Sequence, residues 1–233
     1  MPDRPPQPAT TTLLTGRVRP LPDSDRTSGI YKTPVTGPLQ LGALGLEGDE
    51  QADLRVHGGI EKAVHHYPAE HYPDWRAELG PLPDLARPGG FGENISTTGL
   101  TEENVAVGDI FRLGGALVQV SQGRQPCWKL NRRFGVPDMA RRVQGTGRTG
   151  WYYRVLQPGR VAPGDLLALD DRIAPEWTLR RLWHALYVDR MNLAELRGIA
   201  ALDVLAEGWR KYAIRRLDSG RVEDWNKRLE GRE

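Results

Sequence analysis

From Leu13 to about Asp170 the apolar residues fall in short runs broken by glycine and proline, the texture of a β-rich domain. Asp109–Leu113 and Ala116–Gln122 flank Gly114-Gly115, a pair that tolerates the positive φ of a tight hairpin. Gly150–Leu156 and Asp165–Asp170 read as closing strands, set apart by the turn signals Gln157-Pro158-Gly159 and Ala162-Pro163-Gly164. Short helices interrupt this region at Ala69–Leu79, Trp128–Phe134 and Asp138–Val143. A barrel or a sandwich fits the pattern.

After Asp170 glycine and proline thin out and the apolar period becomes helical. Leu179, Leu182, Trp183 and Leu186 form one stripe behind Thr178, a candidate N-cap. Asn192 with Glu195 has capping-box spacing and opens a second helix, and Val204, Leu205, Trp209, Ala213 and Leu217 predict a third. The division expected is a proline-rich flexible tail over 1–12, a β-barrel domain over 13–171 and a three-helix unit over 172–233.

Composition narrows the chemistry. The 233 residues include 39% hydrophobic positions, enough for a sizeable core, and no apolar run approaches the ~20 residues of a membrane span. Nor does the N-terminus resemble a signal peptide, so a soluble cytoplasmic protein is expected. Cys127 is the one cysteine, which excludes an internal disulfide, an all-cysteine zinc site and an iron–sulfur cluster built by this chain. The net charge of +2 is uninformative, but its distribution is not. Ser121–Arg154 holds eight basic residues and one acid, a local +7, against 24 basic and 29 acidic residues elsewhere. The only thiol lies in the only strongly cationic stretch, where phosphate or another anion is the natural guest. Gln125-Pro126-Cys127-Trp128 leaves a turn and enters a helix between Arg124 and Lys129, an environment that favours thiolate.

Other motifs carry less. Gly145-Thr146-Gly147-Arg148-Thr149-Gly150 matches G-x-G-x-x-G, but a helix precedes it and a strand follows, the reverse of a dinucleotide fold. What remains is a glycine-rich loop that could cradle an anion. His57, His65, His66 and His71 lack metal-ligand spacing, and on a strand His65 and His66 point to opposite faces. Phosphate-loop and nucleophile-elbow patterns are absent.

Five ordered motifs, His57-Gly58-Gly59, Phe91-Gly92-Glu93-Asn94-Ile95, Val107-Gly108-Asp109-Ile110-Phe111, the Ser121–Leu130 stretch around Cys127, and Gly147–Trp151, together resemble the MOSC domain superfamily. Within it the chain is most similar to the YiiM type, whose three-helix C-terminal domain the end of the chain also resembles. The resemblance implies a MOSC-type β-barrel that binds the molybdenum cofactor (Mo-molybdopterin), with Cys127 as metal ligand and catalytic centre. A soft thiolate suits a metal already held by dithiolene sulfur. It further implies reduction of N-hydroxylated compounds such as 6-hydroxylaminopurine-like bases by oxygen-atom transfer, fed by a separate electron donor, a flavoprotein or similar. Carried over by position, Arg124, Lys129 and Arg148 face the phosphate or pterin, and His57, Gly58 and Gly59 line the metal side, with His57 also catalytic. Asn94 and, from an early strand, Lys32 complete the set. The other reading of the residues is a cysteine-persulfide sulfur carrier for metal–sulfur centres. No nucleic-acid or membrane partner is expected, and an oligomer is compatible with the sequence.

Overall fold

The computed structural model describes residues 6–22, 24–53 and 58–231. Its strands are β1 (Ala9–Thr10), β2 (Thr12–Thr15), β3 (Arg19–Pro20), β4 (Thr27–Ser28), β5 (Thr33–Pro34), β6 (Leu39–Gly42) and β7 (Gly45–Leu46). Then come β8 (Val64–His66), β9 (Ile95–Ser96), β10 (Ile110–Leu113), β11 (Ala116–Gly123), β12 (Trp151–Gln157), β13 (Gly159–Val161) and β14 (Leu166–Asp171). Among the described residues the main sheet has the order β1-β14-β10-β11-β12-β8-β9-β2-β5. Only Thr11 separates β1 from β2, yet they sit near opposite ends of that order, so the sheet must curl until its ends meet. That is the barrel-like shell the sequence predicts.

The predicted hairpin forms between β10 and β11, with Gly114 at φ 53°. The sequence places β10, β11, β12 and β14 individually, and two of the other strands bear on its boundaries. β1 pairs with β14 and buries Ala9, so the expected tail to Thr12 is too long: its last residues enter the sheet because Ala9 fills a core position. Between two turn signals, β13 pairs with β6 in a separate three-stranded sheet.

The three short helices lie where expected, as α1 (His71–Leu79), α2 (Lys129–Phe134) and α3 (Met139–Thr146). Of the glycine-rich motif, Gly145 and Thr146 belong to α3, and Gly147 ends it at φ 78°.

The C-terminal unit contains α4 (Leu179–Tyr187), α5 (Leu193–Ala201) and α6 (Glu207–Ser219). Thr178 caps α4 by accepting from the Arg181 amide, and Asn192 caps α5 through the amides of Ala194 and Glu195. The Glu195 carboxylate completes no capping box with Asn192, because it binds Arg181 at 2.8 Å. Val204 and Leu205 precede α6 rather than belong to it. A fourth short helix, α7 (Asn226–Glu230), follows. One apolar core runs through barrel and helices, joining Phe111, Val118 and Tyr153 to Leu182, Leu196 and Trp209. No helix among the described residues is long and apolar enough to cross a membrane.

Candidate functional site

β11 delivers the cationic segment to its place. Its register with β12 shifts between Val120 and Gln122, and at this irregularity Ser121 Oγ donates to the carbonyls of Glu61 (2.6 Å) and Tyr152 (3.1 Å). This ties a short 3-10 turn, Ile60–Lys62, against the sheet. At the strand's end Gly123 is required, since the Trp209 ring sits 2.8 Å from where a Cβ would stand. The chain then turns through Arg124–Trp128 into α2, with the Leu130 amide donating to the Cys127 carbonyl at 3.0 Å.

Cys127 is partly exposed and lines a cavity that opens to solvent. Lys32, Lys62, Arg124 and Lys129 bring positive charge to its lining; His65, Asn94 and Tyr152 add polar groups. The same thiol borders a wider groove reaching Tyr212 and Trp225 in the C-terminal unit.

Arg124 is 6% exposed, and its Nη1 has no hydrogen-bond partner; Nη2 donates to the Phe91 carbonyl at 3.3 Å. No carboxylate pairs with it among the described residues. A buried guanidinium without a counter-charge is costly, and an anionic group in the cavity would supply what is missing. His65, 3% exposed, also keeps its Nε2 unpartnered. Burial, reinforced by Arg124, holds its pKa well below the ordinary value, so the imidazole is neutral. Burial likewise lowers the pKa of Lys62, opposed by the nearby Cys127, and raises that of Tyr152.

The wall opposite is the Phe91–Asn94 loop. Glu93, fully buried, accepts from the amides of Gly89 (2.6 Å) and Phe91 (3.1 Å) and from the Tyr72 hydroxyl. Phe91 stacks on Tyr67 with ring centroids 4.0 Å apart. Asn94 lines the cavity with both amide hydrogens committed, to Leu14 O (3.2 Å) and Asp49 Oδ2 (2.9 Å). Lys32 also lines it, in a buried ion pair with Asp49. Burial lowers the Lys32 pKa, and Asp49 opposes that shift.

Of the residues singled out in the sequence, Cys127, Arg124, Lys129, Lys32 and Asn94 thus share one cavity. Arg148 does not. Its guanidinium lies 3.7 Å from the Trp75 ring centroid and pairs with Glu78 at 2.6 Å, because α1 presents it an aromatic face and a carboxylate. Gly58 and Gly59 are not cavity residues either. Gly59, at φ 93°, starts the turn that carries Lys62 to the lining. His57 lies outside the described residues.

The +7 stretch is also less open than its count suggests, since Arg133, Arg141, Arg142 and Arg154 pair with Asp84, Glu230, Asp138 and Glu61. His66 and His71 are buried and hydrogen-bonded, His66 to Tyr153 and Thr97 at 3.0 Å each and His71 to Glu102 at 2.7 Å. Sequence reasoning missed Lys62, His65, Tyr152 and Asp49. Alternation along β8 did contain the His65 signal, since one of the two adjacent histidines had to face away from the core.

Residues 53–168 match the MOSC domain family, and residues 177–220 match the YiiM-like, 3-alpha helix domain. The fold and the cysteine cavity therefore define a MOSC-domain protein with a helical appendage. Protein YiiM of Escherichia coli (strain K12) is 42% identical over 223 residues, covering 94% of this chain and 97% of that protein. The crystal structure of YiiM from Escherichia coli superposes with a TM-score of 0.81 at 36% identity, covering 96% of this chain and 99% of that one. This chain belongs to the YiiM-like family of MOSC-domain proteins. A protein of Gibberella moniliformis (strain M3125 / FGSC 7600) named Reductase is 44% identical over 185 residues, covering 78% of this chain and 33% of that protein.

Proposed function

We propose that the cavity binds the molybdenum cofactor, with Cys127 as the protein's ligand to the metal, and that the protein reduces N-hydroxylated compounds such as 6-hydroxylaminopurine-like bases. The observation that carries this reading is the buried Arg124 guanidinium, whose Nη1 has no partner in a cavity that Cys127 also lines. MOSC domains are generally linked to molybdenum-cofactor binding, and the donor set here suits a phosphorylated pterin: soft sulfur at the mouth, cations and a neutral imidazole within.

In this reading Arg124 and Lys129 take the anionic end of the cofactor, while His65 and Tyr152 border its ring system. Asn94 and the Lys32–Asp49 pair hold the wall rather than the ligand. When bound, the metal centre supplies the acceptor for the substrate oxygen and a store for an electron pair. Overall, R–NHOH with two electrons and two protons gives R–NH2 and water. In this reading the electrons come from a separate donor protein, a flavoprotein or similar. The likeness to a fungal reductase supports the reaction class.

The test is protein made in a cofactor-competent host, analysed for molybdenum and phosphorus and assayed with a hydroxylaminopurine and a reducing system. Near-stoichiometric molybdenum, lost in Cys127→Ser together with reduction, is expected. Protein without molybdenum, or Cys127→Ser with full metal and activity, sinks the reading. A dithiothreitol-labile gain of one sulfur mass in the metal-free protein would instead favour the persulfide carrier.

A further inference from the structure

The segment after α6 lies beyond the matched three-helix region, which ends at residue 220, yet it is firmly held. Arg216, 1% exposed in α6, pairs with Glu223 at 2.6 Å, and Glu223 also accepts from Trp225 Nε1 at 2.9 Å. From that anchor α7 runs back to the cysteine turn. Leu229 is buried there, and its carbonyl accepts from Asn131 Nδ2 at 2.9 Å.

Arg228 brackets the cysteine. Its guanidinium donates to the Pro126 carbonyl, and its own carbonyl accepts from the Trp128 amide at 2.8 Å. The peptide groups before and after Cys127 are therefore held by one residue. The second guanidinium nitrogen donates to Gln144 Oε1 at 2.6 Å, which fixes the arrangement to α3. A planar fork that binds a turn and a helix together restrains the turn more than a point charge does.

We propose that Arg228 is a positioning residue for Cys127: it sets the place of the thiol by clamping the turn that carries it. The role belongs to the folded chain itself and does not depend on what the cavity binds.

Because Cys127 is the sole cysteine, the mass gained from iodoacetamide reports this thiol alone. The full-length, metal-free protein is alkylated at fixed pH, well below the lowest unfolding midpoint of the variants. Arg228→Ala is expected to react at least about tenfold faster than wild type, since hydrogen bonds from a charged donor are worth that factor or more. Arg228→Lys, able to reach one acceptor but not both, falls between. Arg141→Ala removes the ion pair to Glu230 of the same helix without touching the turn, and reacts at the wild-type rate. An Arg228→Ala rate within twofold of wild type, or slower, overturns the proposal. So does an Arg141→Ala rate as fast as that of Arg228→Ala, which would trace the effect to helix docking. Should Arg228→Ala not fold, Arg228→Lys decides alone: wild-type reactivity overturns the clamp.

Discussion

Arg124→Met separates the stability of the cavity from its use. The guanidinium is 6% exposed; Nη2 donates to Phe91 O at 3.3 Å, and Nη1 is unpartnered. Leaving a buried charged donor unsatisfied costs roughly 1–3 kcal/mol or more, whereas losing the long Phe91 bond costs about 1.5 kcal/mol, the lower end for a charged donor. Methionine fills similar space without charge, so the ligand-free variant should be as stable as wild type or more so, by up to ~2 kcal/mol. Anions should show the opposite effect. A phosphate-bearing ligand at a hundred times its dissociation constant stabilises wild type by about 2.7 kcal/mol. The variant should gain nothing. Urea unfolding of both proteins, with and without pyrophosphate, measures all four values. A loss of more than about 1 kcal/mol in the ligand-free variant, or equal stabilisation of both proteins by pyrophosphate, would refute the argument that Arg124 awaits an anion.

Three further predictions follow from the same geometry. Burial lowers the His66 pKa to about 3 in the folded protein, against 6.5 unfolded, so between those values the unfolded chain binds the extra proton and stability falls with acidification. Urea unfolding at pH 7 and 4.5 should show wild type losing about 2–3 kcal/mol more than His66→Gln; parallel profiles would contradict this. Asp49→Ala strands the buried Lys32 ammonium and removes the acceptor for Asn94 and for the Gly16 amide (2.8 Å), so it should cost roughly 3–5 kcal/mol in the same assay, and a loss under 1 would count against the pair's burial. Arg148→Ala loses its stack on Trp75 and its pair with Glu78, costing about 1–2 kcal/mol, while pyrophosphate still stabilises the protein as it does wild type.

What could be read from the sequence is what neighbouring residues decide. Gly114-Gly115 makes its hairpin by local backbone freedom, and Thr178 and Asn192 cap their helices through amides two or three residues away. The cysteine motif is similar, because Arg124, Cys127 and Lys129 reach the cavity through one strand end and one turn. Arg148 shows where this kind of reasoning stops. It belongs to the same basic stretch, but α3 lies between it and the cysteine, and it ends against α1 where Trp75 and Glu78 claim it. Charge counted along a chain says nothing about which carboxylates the fold will bring to meet it.

The same limit explains why Asp49 and Arg228 escaped notice. Asp49 meets Lys32 across 17 positions and Asn94 across 45, with no motif of its own. Arg228 sits in a helix of five residues, too short to show a periodic stripe, and its partners Pro126 and Gln144 lie 102 and 84 positions earlier. Both residues bind the functional turn or wall rather than the ligand. A resemblance built on motifs finds side chains by chemical type, which brings Cys127 and Arg124 to the cavity and fails for Arg148. The supports that fix those side chains are recognisable only by distance, and in this protein Arg228 supplies one from the far end of the chain.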